Sequence, residues 1–244
     1  MATILGGPAV RRVQEEEVHI WLVVDESASV ECQMMLEPGK APIATSALES
    51  QEPVRLGQRL FFYLLKVVRP DGKPFPKERP LYYDIKINGQ GLADLGLTEG
   101  DRPITYKGEA LPSFLIPEKH RHIIQGSCRK PHAERTAKIV QRDQLIEADQ
   151  LLGQLRNDLE KRPTMLVLTG DQIYADDVAT PLLKALNRKG ADLVGLDEEL
   201  PPMEGETAPV SPHRIPLHGR DRILTKKEVF TASHGWNHLM TFGE

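Results

Sequence analysis

HIIQGSCRKPH (122–132) and RPTMLVLTGDQIYADD (162–177) are the passages on which the reading of this chain turns. Each opens on a short apolar run and breaks at a glycine, Gly126 in the first and Gly170 in the second. TMLVLTG carries no polar alternation, which is the pattern of a strand buried on both faces. Between the runs, QRDQLIEADQLLGQLRNDLEKRP (141–163) sets Leu145, Ile146, Ala148, Leu151, Leu152, Leu155 and Leu159 on one helical stripe, and Pro163 stops it. Strand, helix, strand is a βαβ unit, whose parallel strands open their carboxyl ends onto one crevice. The first strand ends at Gly126-Ser127-Cys128 and the second at Gly170-Asp171. With neighbouring strands about 4.8 Å apart, Cys128 and Asp171 are expected to reach a single ion.

Toward the N-terminus the period changes from helical to two. EVHIWLVV (17–24) alternates Val18, Ile20, Leu22 and Val24 against His19, Trp21 and Val23, and SVECQMML (29–36) repeats the pattern with Val30, Cys32, Met34 and Leu36. RLFFYLLKVV (59–68) and LYYDIKI (81–87) are further strands, the latter followed by Asn88-Gly89. Turn signals separate them and no helical stripe intervenes, so an antiparallel β-sandwich is expected over residues 1–117 and an incomplete α/β domain over 118–244. Residues 190–225, rich in Pro, Gly and charge, read as a long surface loop, followed by a helix at 226–230 and another beginning near Asn237.

Composition narrows the function classes. With 40% hydrophobic and 27% charged residues the chain has the makings of packed domains. Its 31 basic against 35 acidic side chains give a net charge of −4, without the basic field that nucleic-acid binding uses. Two widely spaced cysteines make no disulfide framework and fit a reducing compartment. Arg11-Arg12 precedes no apolar run of the kind an export signal needs, and the stretch from Leu60 to Val68 is interrupted by Lys66. The expectation is a cytoplasmic protein with no membrane segment.

Tyr174 follows Asp171 by three residues in GDQIYADD, close enough for phenol and carboxylate to converge from one loop. A thiolate, a carboxylate and a phenolate together repel one another unless a cation joins them. That donor set suits ferric iron better than zinc. Each residue also has an ordinary reading: Cys128 as a small buried hydrophobe, Asp171 as a helix N-cap, Tyr174 as a packing residue. Asp176 and Asp177 read as helix N-terminal charges or contacts to a second cation, His132 as a loop residue, and Cys32 as a core residue. Other phosphate chemistries fail on spacing. A cysteine phosphatase needs Arg six positions after its Cys, where Glu134 stands and Arg135 comes one too late; no Walker A loop or serine nucleophile elbow is present.

HIIQGSCRKPH, RPTMLVLTGDQIYADDVATPLL and NHLMTFGE resemble the PhoD-like (alkaline phosphatase D type) metallophosphatases, and GPAVRRVQEEEVHIWLVV resembles the β-domain that opens them. Ordinary calcineurin-like phosphoesterases carry Asp-x-His at the first strand and an Asp three residues after Gly-Asp; here Cys128 and Tyr174 hold those places. The resemblance implies iron bound through Cys128, Asp171 and Tyr174, with Asp171 bridging to calcium and other divalent metals as substitutes. It implies a phosphate-ester substrate hydrolysed by a metal-activated hydroxide. The family's remaining ligand motifs are expected beyond NHLMTFGE, so the chain reads as an N-terminal portion with weak or no turnover of its own. His213, His218, His234 and His238 match none of those motifs. The rival reading is a non-catalytic remnant whose β-domain serves as a binding module.

Overall fold

The computed structural model describes residues 2–130, 143–176, 178–202, 205, 207–227 and 235–244. Contacts divide the chain into two compact units: residues up to Ile123 with Leu152–Met165, and Ile124–Leu151 with Leu166 onward.

In the first unit the alternation of the sequence becomes an alternation of burial. β2 (Glu17–Val24) and β7 (Pro80–Ile87) bury every second residue. β1 (Ile4–Val13), β3 (Val30–Met35), β4 (Ala44–Ser46), β5 (Val54–Gly57), β6 (Leu60–Val68) and β8 (Ser113–Leu115) complete one antiparallel sheet in the order β1-β2-β6-β4-β3-β7-β8, with β5 also on β6. The whole of β2 lies along β6, from Glu17 opposite Val68 to Val24 opposite Phe61. The three-residue β4 pairs with both β6 and β3 and so joins the β2–β6 ladder to the β3–β7 ladder. The inward residues Val18, Ile20, Leu22, Val30, Cys32, Met34, Tyr63, Leu65, Val67, Leu81 and Ile85 form one core, giving a sandwich-like β-domain.

Polar groups of Tyr63 and Ser46 find partners inside this core. The Tyr63 hydroxyl donates to the Ala28 carbonyl at 2.7 Å and accepts the Ala28 N–H at 3.0 Å. Ser46 Oγ accepts the Cys32 N–H at 3.0 Å. Burial pushes the Cys32 thiol well above its ordinary range, as expected of an inert core cysteine. Asn88 and Gly89 both take positive φ, 50° and 84°, the mark of a type I′ turn, where Ile87 bridges to Gln90. The sequence reading missed β1, β4, β5 and β8: three are short, and the glycines and arginines of β1 obscure its period.

The second sheet has two strands, β9 (Ile123–Gly126) and β10 (Met165–Leu168). Their backbone bonds advance together, Thr164 N to His122 O, Thr169 N to Gly126 O and Cys128 N to Gly170 O, so the strands run parallel. α1 (Leu145–Leu155) lies between them in sequence and ends before Leu159. Buried-strand character was expected for TMLVLTG, yet Met165, Leu166 and Leu168 are exposed. The reason is partner number: among the described residues this sheet has only two strands.

The expected long loop after residue 190 is shorter and more structured. α2 (Thr180–Val194) runs into it and ends on Gly195 at φ 77°, a left-handed C-cap. Leu200 bridges to Val210, and α3 (Asp221–Lys227) occupies its end. The helix anticipated at 226–230 therefore begins earlier, and residues 228–230 lie outside the described part. Near Asn237 a 3-10 turn, Gly235–Asn237, stands where a helix was anticipated. Gly190 and Gly243 meet so closely that a Cβ on Gly190 would collide with the Gly243 carbonyl. No described helix is long and apolar enough to cross a membrane.

Candidate metal centre

Both strand exits adopt an uncommon backbone. Cys128 has φ 53° and Asp171 has φ 51°, left-handed values that non-glycine residues seldom take, and Gly170 before Asp171 has φ 149°. Such conformations cost about 1–3 kcal/mol each and cluster at functional sites. Here they occur side by side: Cys128 N–H donates to the Gly170 carbonyl at 3.2 Å, and Arg129 N–H to the Asp171 carbonyl at 2.7 Å.

The turns bring three side chains together. Cys128 Sγ lies 3.7 Å from Asp171 Oδ2, and the Tyr174 hydroxyl donates to that same oxygen at 3.3 Å. The Tyr174 phenol is held well above its ordinary range, first by its hydrogen bond with Cys128, then by desolvation and the neighbouring Asp171 charge. Crowded anionic donors keep a proton when no cation is present.

The ordinary readings fare differently. Cys128 is exposed, so it is not a buried hydrophobe. Asp171 does not cap α2, whose N-cap is Ala179. Asp176 ion-pairs with Lys130 Nζ at 3.4 Å. Asp177, His132 and His234 lie outside the described residues.

The surroundings add groups that the motif did not reveal. Arg129 Nε donates to Asp143 at 3.0 and 3.1 Å, and this partner raises its pKa further. Asp143 also accepts the Leu145 N–H at the start of α1, tying the Cys128 turn to that helix. A cavity of about 140 Å³ beside Cys128 is lined by Arg129, Asp143, Leu145, Leu168 and Gln172. Farther along, the buried Asn237 donates to the Val178 carbonyl at 2.9 Å and to Thr180 Oγ1 at 3.1 Å, while Leu239 N–H reaches the Ala175 carbonyl at 2.8 Å. The 237–239 segment is thus stitched to the loop that follows Asp171. Nothing local in the sequence announces these long-range pairings.

Histidines contribute elsewhere. His213 faces Asp197 at 3.6 Å, His218 Nε2 lies 3.1 Å from Thr180 Oγ1, and His238 Nδ1 lies 2.5 Å from the Leu239 carbonyl. Among the described residues no three His, Cys, Asp or Glu side chains form a metal-holding group; the cluster has two of those types, and its third member is a tyrosine. Comparison of this chain with protein-family models, with curated proteins and with solved structures returns no match.

Proposed function

We propose that Cys128, Asp171 and Tyr174 hold a metal ion, iron first, with calcium as a second cation, and that this is the metal centre of a PhoD-like phosphoesterase. On this reading β9, α1 and β10 open an α/β phosphoesterase layer, and the substrate is a phosphate mono- or diester. The observation that carries the proposal is the pair of left-handed strand exits that aim a thiol and a carboxylate at one point, 3.7 Å apart, with a phenol 3.3 Å from the same oxygen. The donor set fits a cation: a thiol, a carboxyl and a phenol gathered about one carboxyl oxygen are the groups that, once deprotonated, would hold one.

A bound metal would supply a water of lowered pKa and neutralise charge on the phosphoryl oxygens. The chain's own residues have simpler tasks. Cys128 and Tyr174 release their protons from Sγ and Oη on metal uptake, which makes uptake pH-dependent. Asp171 orients both, since its Oδ2 is their common partner.

Ferric iron added to the purified chain tests the reading. The expected result is one equivalent bound, with a visible phenolate-to-iron absorption that disappears in Tyr174→Phe. Cys128→Ala and Asp171→Ala should each weaken binding by about 10-fold or more. Any hydrolysis of a nitrophenyl phosphodiester should fall in Asp171→Ala. Iron uptake unaffected by all three substitutions overturns the proposal.

A further inference from the structure

Lys130 stands two residues past Cys128 on the first strand exit, yet its ammonium serves the second. Its Nζ lies 4.9 Å from the centroid of the Tyr174 ring and 3.4 Å from Asp176 Oδ1. Neither partner is an ordinary surface charge, because the side chains of Lys130 and Asp176 are only 16% and 19% exposed. Exposed ion pairs contribute little, but a cation withdrawn from water and set against an aromatic face is held more firmly.

Asp176 lies two residues beyond Tyr174, so the ammonium grips the loop beside the ring and at the ring itself. A tyrosine ring is placed by two torsions. The ammonium lies over its face and the Asp171 carboxylate accepts from its hydroxyl, so the two contacts together restrict both torsions.

We propose that Lys130, anchored by Asp176, is a positioning residue for this centre: it sets the Tyr174 ring so that the phenol oxygen is presented to an ion held by Cys128 and Asp171. The inference rests on the metal-binding reading in taking Tyr174 as a donor. Residues that orient metal ligands from behind commonly change metal affinity by about 10–100-fold.

The test compares ferric iron affinity and the phenolate-to-iron absorption in the full chain and its variants. Lys130→Met keeps the aliphatic stem and removes the charge; it should weaken iron binding by about 10-fold and shift or reduce the absorption. Lys130→Arg, which retains a cation over the ring, should recover most of both. Asp176→Asn should act in the same direction, and the double variant Lys130→Met/Asp176→Asn should fall short of the sum of the two singles, as for residues acting as one unit. Loss of affinity with an unshifted band in Lys130→Met, and no recovery in Lys130→Arg, would mark a merely structural role and overturn the proposal. So would binding within about twofold of the parent in both Lys130→Met and Asp176→Asn, with the parent band intact, and in that case the metal centre itself stands. A parent chain that shows no Tyr174-dependent band sinks the metal reading and this one together. Should Lys130→Met fail to fold by circular dichroism, Lys130→Arg and Asp176→Asn decide the matter.

Discussion

The strand Glu17–Val24 buries Val18, Ile20, Leu22 and Val24 completely, whereas Met165–Leu168, more continuously apolar, leaves Met165, Leu166 and Leu168 39%, 50% and 45% exposed. Hydrophobicity alone does not decide burial. β2 is flanked by β1 and β6 within an eight-stranded sheet whose inward sides share one core. β10 pairs with β9 and with no other described strand. A parallel pair needs cover on both faces to use its apolar side chains, and the sequence of β10 is written for a more crowded setting than its two-stranded sheet provides.

The sharpest way to break this contrast is to remove the same atoms from each region. Leu65 is fully buried on β6, and Leu65→Ala should destabilise the β-domain by about 2–5 kcal/mol through lost transfer energy and an unfilled cavity. Leu168→Ala deletes the same methyl groups from a half-exposed site and should cost less than about 1 kcal/mol. Urea unfolding followed by circular dichroism measures both. Equal losses would mean that β10 is buried in solution, by association of chains or by rearrangement.

That asymmetry also explains what could be read in advance. The alternating strands at 18–24, 30–36, 59–68 and 81–87 were legible because one face of each meets a core, so the period of the side chains equals the period of burial. Short or irregular strands such as Ala44–Ser46 and Val54–Gly57 carry too few residues to show a period, and only the ladder with β6 defines them. At the candidate centre, strand-end glycines and the three-residue step from Asp171 to Tyr174 were local signals, and the structure brings Cys128, Asp171 and Tyr174 together. The left-handed turns at Cys128 and Asp171 were not legible, since neither residue type demands such a φ. Lys130 against Tyr174 and Asn237 against Val178 join positions 44 and 59 residues apart, and no periodicity encodes such pairs.

The two regions should also part company at opposite ends of the pH scale, the larger effect lying on the alkaline side. Tyr174 has its pKa raised, first by its hydrogen bond with Cys128. For a raised pKa, the interaction is complete below the free phenol's value of about 10 and is lost as pH climbs through the folded value. Phenolate absorbance of the metal-free chain, with Tyr174→Phe subtracted, should therefore show Tyr174 ionising above about 10. Cys128→Ala should lower that midpoint most and Asp171→Asn should lower it less. A midpoint at or below the ordinary phenol value in the parent chain would mean that the three side chains do not meet in solution.

On the acid side the β-domain has the smaller response, at Asp25. Burial by itself would raise this carboxyl, but the Thr3 N–H at 2.6 Å and the Arg59 guanidinium at 3.1 Å outweigh it and hold the pKa below the usual range. The sign is the reverse of that at Tyr174. A depressed pKa contributes stability above the unfolded value of about 3.9, and the contribution fades as pH falls through the folded one. Asp25 lies just past the end of β2 and bonds Thr3 at the entry to β1, so its charge helps to hold an edge strand whose pairing with β2 is interrupted by three register shifts. Asp25→Asn keeps an oxygen for the Thr3 N–H while dropping the charge, and should cost about 0.5–1 kcal/mol at neutral pH. The parent and variant unfolding curves should converge as pH is lowered below about 3. Salt should narrow the difference at neutral pH, because the Arg59 side chain is 47% exposed and its attraction is screened. A penalty that persists undiminished at low pH would assign the effect to the shape of the side chain and remove Asp25 from the acid limb of the stability profile.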